Sequence, residues 1–386
     1  MINNSSFRCW AEIDLSALQE NLSWIRHQVG PDAKIITVVK ADAYGHGLKE
    51  IASHLMSCGT SAFGTANLRE AYDIRSRGEG WPILMLGACV PGEMEYAIQQ
   101  NVMVTASTFE EVLNLSQLAA HLKKKALLQI KVDTGMGRLG AEISQAYGLI
   151  KQTLALQDSN KTIMLKGVYT HLAAAEDDEE FTRSQLMPFR TLIDSLRQEN
   201  ISLDYIHASG SGGILFEDNT LFNAFRPGLI TYGIAPFGKR ALRAKIQKFL
   251  KPSLSLKTRV SLVKNIPAGK TLSYGHTFTA PKAMKIATLT AGYGDGYHRS
   301  ISGRGSVLIR EKLCPILGRI TMDQMIVDVS ALEAVASGDE AVLIGKQGKK
   351  EITAAMVARW AKTIPWEILT SINHRVGRFY LGTCAS

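Results

Sequence analysis

Short apolar runs of β character recur from residue 34 to about residue 235, and stretches of helical periodicity separate them. The runs are IITVVK (35–40), SAFGTA (61–66), ILMLG (83–87), VMVTA (102–106), ALLQIKVD (126–133), MLKGVYTH (164–171), DYIHAS (204–209) and AFRPGLITYG (224–233). Between the first two, Leu48, Ile51, Ala52, Leu55 and Met56 share one helix face, and Gly59 ends that helix. Between the second and third, Asn67 with Glu70 three residues on has the form of a capping box, and Gly78 ends the turn. Ahead of the first run, Asp14 caps a helix whose buried face is Leu15, Leu18, Leu22 and Ile25. Eight β runs, each trailed by a helix, predict an α/β fold: a TIM-type (β/α)8 barrel, with a doubly wound open sheet as its rival.

The texture changes after residue 240. SLSLKTRVSLVKNI, MKIATLTAG, GSVLIR, LCPILGRITMDQMIVDVS and EAVLIG are alternating patterns cut by Gly and Pro, and only TAAMVARWAKTI reads as helix. The expected organisation is therefore a barrel over residues 1–245 and a mostly β domain over residues 246–386.

Composition narrows the class. With 46% hydrophobic and 20% charged residues in 386, the chain is neither disordered nor fibrous. The net charge of +9 draws on Lys123–Lys125 and on KRALRAKIQKFLK (239–251). No nucleic-acid-binding signature accompanies the second run, which reads as a solvated helix face or linker; an anionic small ligand would suit such a protein. Cysteines 9, 58, 89, 314 and 384 form no CxxC or metal spacing and read as reduced thiols. The nine histidines show no HExxH, so no metal is expected. The N-terminus lacks a signal-type apolar region, and no apolar run approaches the ~20 residues of a membrane span. A cytoplasmic protein with no nucleic-acid or membrane partner is the expectation.

The chemistry gathers where a barrel would carry it, at the C-terminal ends of the strands. Lys40 ends the first run, Arg138 follows the fifth, His171 ends the sixth, Ser209–Gly213 follow the seventh, and Arg226, Pro227 and Gly228 sit in the eighth. A Gly/Ser-rich turn there either cradles a phosphate or is a plain flexible turn. Lys40 is either a structural residue with its amine snorkelling to water or a buried amine; burial lowers an amine's pKa and frees it as nucleophile or base. A lysine and a phosphate cradle on one barrel point to pyridoxal phosphate. The rivals are weaker: AGKT (268–271) has Lys264 where a P-loop needs glycine, and Ser211 has Ser209 where a nucleophile elbow needs glycine. A lone His171 or His207 in a strand also reads as a satisfied core residue.

Seven motifs, in order, resemble the signatures of the bacterial alanine racemase family: VVKADAYGHG, VDTGMGRLG, YTHLAAAE, FRPGLITYG, LSYGHTF, AGYGDGYHR and LGRITMDQ. The resemblance implies a fold-type III pyridoxal-phosphate enzyme that interconverts L- and D-alanine, supplies D-alanine for peptidoglycan, and acts as a homodimer with shared sites. It implies that Lys40 is the Schiff-base lysine and one catalytic base, and that Tyr274 of the other subunit is the opposing base. Tyr44, Ser211, Gly228 and Leu229 fall at the phosphate, Arg226 faces the pyridine nitrogen, His207 supports Arg226, and His171 partners the tyrosine. Arg138 and Met322 match substrate-carboxylate contacts, and Lys131 matches a lysine carbamylated in some members. Tyr293, Arg299 and Arg319 match the access corridor. Three positions depart from the family: Gly210 precedes Ser211 in place of Asn, His374 stands where a phosphate-reaching tyrosine is usual, and Glu176 stands where the corridor commonly has aspartate. The alternatives are a decarboxylase of similar layout, a broad-specificity or serine/lysine racemase, and a non-catalytic pyridoxal-phosphate homeostasis protein, which ends with the barrel.

Racemisation itself requires two proton carriers on opposite faces of Cα. Lysine and tyrosine both ordinarily titrate near 10, so both need tuning downward. Burial does this for Lys40, and a neighbouring cation would do it for Tyr274.

Overall fold

The computed structural model describes residues 6–215, 221–236 and 240–382; Cys384 and Lys239 lie outside the described residues. The chain opens with β1 (Cys9–Asp14) and α1 (Leu15–Val29). There follow β2 (Lys34–Val38), α2 (Lys40–Gly45), α3 (Leu48–Ser57), β3 (Ala62–Thr65), α4 (Leu68–Arg75), β4 (Ile83–Ala88), α5 (Pro91–Gln99), β5 (Met103–Ala106) and α6 (Phe109–His121). Next come β6 (Ala126–Asp133), the short β7 (Ala141–Glu142), α7 (Ile143–Asn160), β8 (Ile163–Tyr169), α8 (Glu179–Gln198), β9 (Tyr205–His207), β10 (Ala224–Phe225) and α9 (Arg240–Gln247). The chain divides into two units: Ala17–Ala43 with Leu48–Lys251, and Met1–Ser16 with Tyr44–Gly47 and Pro252–Thr383.

In the first unit, eight parallel strands follow the order β10-β2-β3-β4-β5-β6-β8-β9. The Asn223 amide donates to Ile206 O at 3.1 Å and the Arg226 amide to Ser209 O at 2.9 Å, so β10 meets β9 and the barrel nearly closes. The expected (β/α)8 architecture is present, and the open sheet is excluded. A layer made of Ile36, Ala62, Leu84, Met103, Tyr205 and Ala224 fills the interior. Side chains alternate along a strand, so the next inward positions are fixed by parity. Above Met103 stands Thr105, above Tyr205 His207, above Ala224 Arg226, and above Leu127 Gln129 and then Lys131. Thr105, Gln129, Lys131, His207 and Arg226 are all buried. The barrel is thus apolar at one end and cationic toward the C-terminal ends of its strands.

The α3 face is buried at Leu48, Ile51, Ala52 and Leu55, with Met56 half-buried. Leu18, Leu22 and Ile25 of α1 are buried, whereas Leu15 is only half-buried. The basic run contributes α9, as a helical segment.

The second unit is mostly β. It contains β11 (Leu254–Ile266), β12 (Thr271–Leu272), β13 (Phe278–Thr279), β14 (Met284–Leu289), β15 (Ser306–Ile309), β16 (Lys312–Leu317), β17 (Met325–Asp328), β18 (Glu340–Gln347), β19 (Lys350–Ile352), α10 (Ala354–Ala361), α11 (Pro365–Thr370) and β20 (Gly377–Leu381). Its sheet runs β19-β18-β15-β16-β17-β14-β11-β1-β20, and a further pairing of β11 with β18 closes a ring inside it.

Four sequence expectations need correction. The barrel is expected over residues 1–245, but β1 pairs antiparallel with β11, Trp10 opposite Lys257, so residues 6–16 belong to the second unit. The first barrel strand stops at Val38, and Lys40 begins α2 instead of ending the strand. The eighth run extends only over Ala224–Phe225; Pro227 has no N–H for a ladder, and Leu229–Tyr232 form a 3-10 turn. A second helix, α11, starts after Ile364, with Pro365 at its first position.

Candidate active site

Arg226 is the centre of the barrel mouth. It is buried, and its Nη2 donates to Thr170 O at 2.8 Å and Ala208 O at 2.9 Å while Nη1 donates to His207 Nδ1. Guanidinium can only donate, so His207 accepts through Nδ1 and keeps its proton on Nε2. That Nε2–H donates to Gln129 Oε1 at 2.7 Å. The imidazole stacks on Tyr169 with centroids 4.7 Å apart and planes 12° from parallel. Tyr169 also carries Arg226 Cζ at 5.1 Å and Lys131 Nζ at 4.7 Å from its ring centroid. Its hydroxyl lies 2.6 Å from Thr105 Oγ1, which donates to Met85 O at 2.8 Å.

The electrostatics follow from burial among cations. Burial and then the charge of Arg138 pull the Lys40 amine below its ordinary value, while Glu70 opposes them. Burial, Arg226 and Arg138 bring Lys131 down to about 7. Burial is also the first cause holding His171 and His207 well below the imidazole range, followed by Arg226. Arg226 falls to about 10 through burial, so it stays charged at neutral pH. His171 Nδ1 lies 3.3 Å from Arg226 Nη2, whose two hydrogens go to the shorter bonds to Thr170 O and Ala208 O.

The pull on Lys131 has a measurable sign. Below pH 7 its amine is protonated both folded and unfolded, so folding bears the full cost of the charge, on the order of 5 kcal/mol. From 7 to 10.5 the unfolded chain binds more protons, and that cost fades as pH rises. Lys131→Met is therefore expected to raise unfolding free energy at pH 6 by a few kcal/mol, with the gain shrinking to nothing by about pH 10.5. Urea titrations of both chains in carbon-dioxide-free buffer across this range check it; a gain independent of pH would refute it.

The loops that carry the remaining residues are held by local hydrogen bonds. Asp133 Oδ1 accepts the amides of Gly135, Met136 and Gly137 at 2.9, 2.9 and 3.2 Å, and this turn presents Arg138, which is exposed. Ser211 Oγ accepts the Gly228 amide at 3.0 Å and the Ile230 amide at 3.5 Å. The seventh and eighth strand ends thus form one donor-rich cradle, with Leu229 buried beneath it. At Gly212 a Cβ would meet Glu176 Cγ at 2.7 Å, so a side chain there would have to displace that of Glu176. Burial and Asp177 raise the Glu176 carboxyl. At Gly210, a Cβ would touch nothing closer than His171 Cε1 at 3.6 Å, so the position has room for a side chain.

After Lys40 the backbone turns left-handed. Ala41, Asp42, Ala43 and Tyr44 have φ of 53°, 55°, 52° and 55°. Each such L-residue costs about 1–2 kcal/mol, so the surroundings have to enforce the turn.

The other sequence-predicted residues lie in the second unit. Tyr274 is 71% exposed, in a turn between β12 and β13. Ser273 Oγ donates to Arg319 O at 2.5 Å, and the Arg319 guanidinium packs so close to Gly275 that a Cβ there would meet Nη1 at 2.8 Å. Arg319 therefore lies beside Tyr274. Tyr293 and Met322 are exposed, and the Gly294 amide donates to Met322 O at 2.8 Å. Arg375 binds Asp295 at 2.8 Å, Asp323 at 2.8 Å and Met322 O at 3.4 Å, which ties the loop carrying His374 to both motifs. His374 and Arg299 are exposed. Tyr44 is buried and counts with this unit. Phe7, Tyr274, Thr290, Asp295 and Arg375 line a cavity of about 740 Å³ within it. No group of His, Cys, Asp and Glu among the described residues could hold a metal ion.

Sequence reasoning missed Gln129, Thr105 and Tyr169. Parity on β5 and β6 points at the first two, but each resembles a core residue until Arg226 and His207 are placed.

Comparisons with known proteins agree across the chain. Residues 13–236 match the family model for the alanine racemase N-terminal domain and residues 253–380 that for the C-terminal domain. The alanine racemase of Halothermothrix orenii is 39% identical over 96% of this chain and 96% of its own length. The solved alanine racemase of Streptomyces lavendulae superposes with a TM-score of 0.91 at 34% identity, covering 97% of each chain. That of Bartonella henselae, with covalently bound pyridoxal phosphate, gives a TM-score of 0.85 at 28% identity over 97% of this chain and 100% of its own.

Proposed function

The chain belongs to the alanine racemase family, and on that premise we propose that Lys40 holds pyridoxal phosphate and that a second copy of the chain completes the site with Tyr274. Its activity is the interconversion of L- and D-alanine. The observation that carries the proposed site is the cationic mouth: the charges acting on His171 are Arg226, Lys131, Arg138 and Lys40, all positive. Such a mouth suits a ligand with a phosphate at one end and a substrate carboxylate beside it.

The residues present fit the cofactor. Ser211, Gly228 and Leu229 would hold its phosphate with the backbone donors that Ser211 Oγ now engages, and Tyr44 and His374 would complete that end. Arg226, braced by His207 and Gln129, would face the ring nitrogen. When bound, pyridoxal phosphate supplies an electron sink that acidifies the substrate Cα–H. Arg138 and Met322 would take the substrate carboxylate. Lys131, its amine near 7, is the residue positioned to form a carbamate that would pair with Arg138.

Proton movement belongs to two groups. Lys40, its amine lowered by burial and by Arg138, moves a proton at one face of Cα. The partner subunit's Tyr274 moves the proton at the other face. His171, held neutral by burial and Arg226, would offer a ring N–H to the tyrosine oxygen and stabilise its anionic form. Tyr293, Arg299, Arg319 and Glu176 would line the way in. A cytoplasmic location and supply of D-alanine for peptidoglycan complete the proposal. No helix among the described residues is long and apolar enough to cross a membrane.

Borohydride reduction of the purified protein, followed by peptide mapping, tests the site directly. The expected result is a reduced pyridoxyl group on the peptide containing Lys40, together with loss of optical rotation from L-alanine and no release of carbon dioxide. Label on another lysine, or carbon dioxide release, would overturn the proposal.

A further inference from the structure

Two helices of the barrel begin with the same capping pattern, a polar cap three residues before a glutamate, yet one of the two glutamates does something different. On α6, Thr108 Oγ1 accepts the Glu111 amide at 3.2 Å. Glu111 Oε2 returns to the amides of Ser107 at 2.5 Å and Thr108 at 3.1 Å, so the box closes on itself. On α4, Asn67 Oδ1 accepts the Glu70 amide at 3.1 Å, as the sequence predicts. The Glu70 carboxylate, however, divides: Oε2 accepts the Ala66 amide at 2.7 Å, and Oε1 reaches across to the Ala41 amide, also at 2.7 Å.

Ala41 is the first left-handed residue after Lys40. The turn that follows is unfavourable for L-residues at four consecutive positions, so something has to hold its beginning. Farther along the turn, Asp42 Oδ1 accepts the Leu48 amide at 2.8 Å. We propose that Glu70 is a positioning residue for the reaction: one oxygen anchors to the end of β3 at Ala66, the other clamps the turn at Ala41, and together they fix where Lys40 presents its amine. The inference rests on the assignment of Lys40 as cofactor lysine and base, and its test is chosen so that the two can fail separately.

The test compares Glu70→Gln, Glu70→Asp and Glu111→Gln in the cofactor-loaded protein, using hydrogen exchange by mass spectrometry and steady-state kinetics. Glutamine keeps one acceptor oxygen and so loses one of the two amides. Aspartate keeps the charge but is one methylene too short to bridge them. Both Glu70 variants are expected to speed exchange in the peptide over residues 38–47 about tenfold. They should lower kcat about tenfold with KM changed less than about twofold, because the substrate contacts are untouched. Glu111→Gln, which opens an equivalent cap, should leave that peptide and kcat as in the wild type. Failure of Glu70→Asp alongside Glu70→Gln shows that the clamp needs both acceptor oxygens at glutamate's reach and that charge alone does not suffice. Wild-type exchange at residues 38–47 in Glu70→Gln would overturn the proposal, as would equal losses in Glu111→Gln or full rescue by aspartate. The exchange result does not depend on which lysine carries the cofactor, so a mapped label elsewhere would sink the site assignment and leave the clamp standing.

Discussion

Mixing Lys40→Ala chains with Tyr274→Phe chains is expected to restore about a quarter of wild-type racemase activity, although each variant alone loses about 10²–10⁴-fold. The expectation comes from how one chain distributes the two proposed proton carriers. Lys40 lies in the barrel unit with a half-buried amine, and Tyr274 lies in the β unit, 71% exposed. A tyrosine so exposed is not shielded from water as a catalytic base needs to be, and a second copy of the chain would supply the cover. In a dimer with shared sites, a mixed pair holds one site carrying both substitutions and one carrying neither. Random exchange puts about half of the dimers in the mixed class, so about one site in four is intact. If each site drew both residues from one chain, every site in the mixture would keep a defect and no activity would return. The experiment exchanges subunits by brief mild denaturation, confirms dimers by size exclusion, and follows D-alanine formation. Absence of recovery with dimers confirmed would refute the shared site.

Much of this was legible because barrel chemistry follows strand ends. Lys40 and His171 each close a β run and Arg226 lies within the eighth, and parity then stacks Arg226 over Ala224 and His207 over Tyr205. What the sequence hid was non-local or carried by backbone. One partner of β1 lies some 240 residues downstream, at Leu254–Thr258, the other is β20, farther still, and no local pattern announces either pairing. The left-handed turn is made by Ala, Asp, Ala and Tyr, none of which signals positive φ as glycine does. The eighth run outlasts its strand because AFRPGLITYG is apolar apart from Arg226 and Thr231, and a buried 3-10 turn is as apolar as a buried strand. Glu70 was legible as a capping residue, but its second oxygen acts on a segment 29 positions away.

Arg226→Glu is expected to lower racemisation on the order of 10²-fold and to raise the share of pyruvate among the products. Two consequences of the substitution act together. The arginine donates to Thr170 O at 2.8 Å, to Ala208 O at 2.9 Å and to His207 Nδ1, and a carboxylate can satisfy none of these acceptors. Burial would drive the new carboxyl toward its protonated form. His207 would also lose the positive neighbour that, after burial, does most to keep it neutral. A guanidinium beside the ring nitrogen cannot surrender a proton to it, whereas a carboxylic acid can. In the proposed site, protonation there would deepen the electron sink and give a proton time to return at the wrong carbon, so that hydrolysis would release the keto acid and leave the amino group on the cofactor. Arg226→Lys separates the effects: it keeps a cation but loses the fork, so racemisation should fall while the ratio of pyruvate to D-alanine stays low. Circular dichroism confirms that each variant is folded. An unchanged product ratio in folded Arg226→Glu would show that Arg226 serves packing alone and that the choice of arginine has no bearing on the fate of the carbanion.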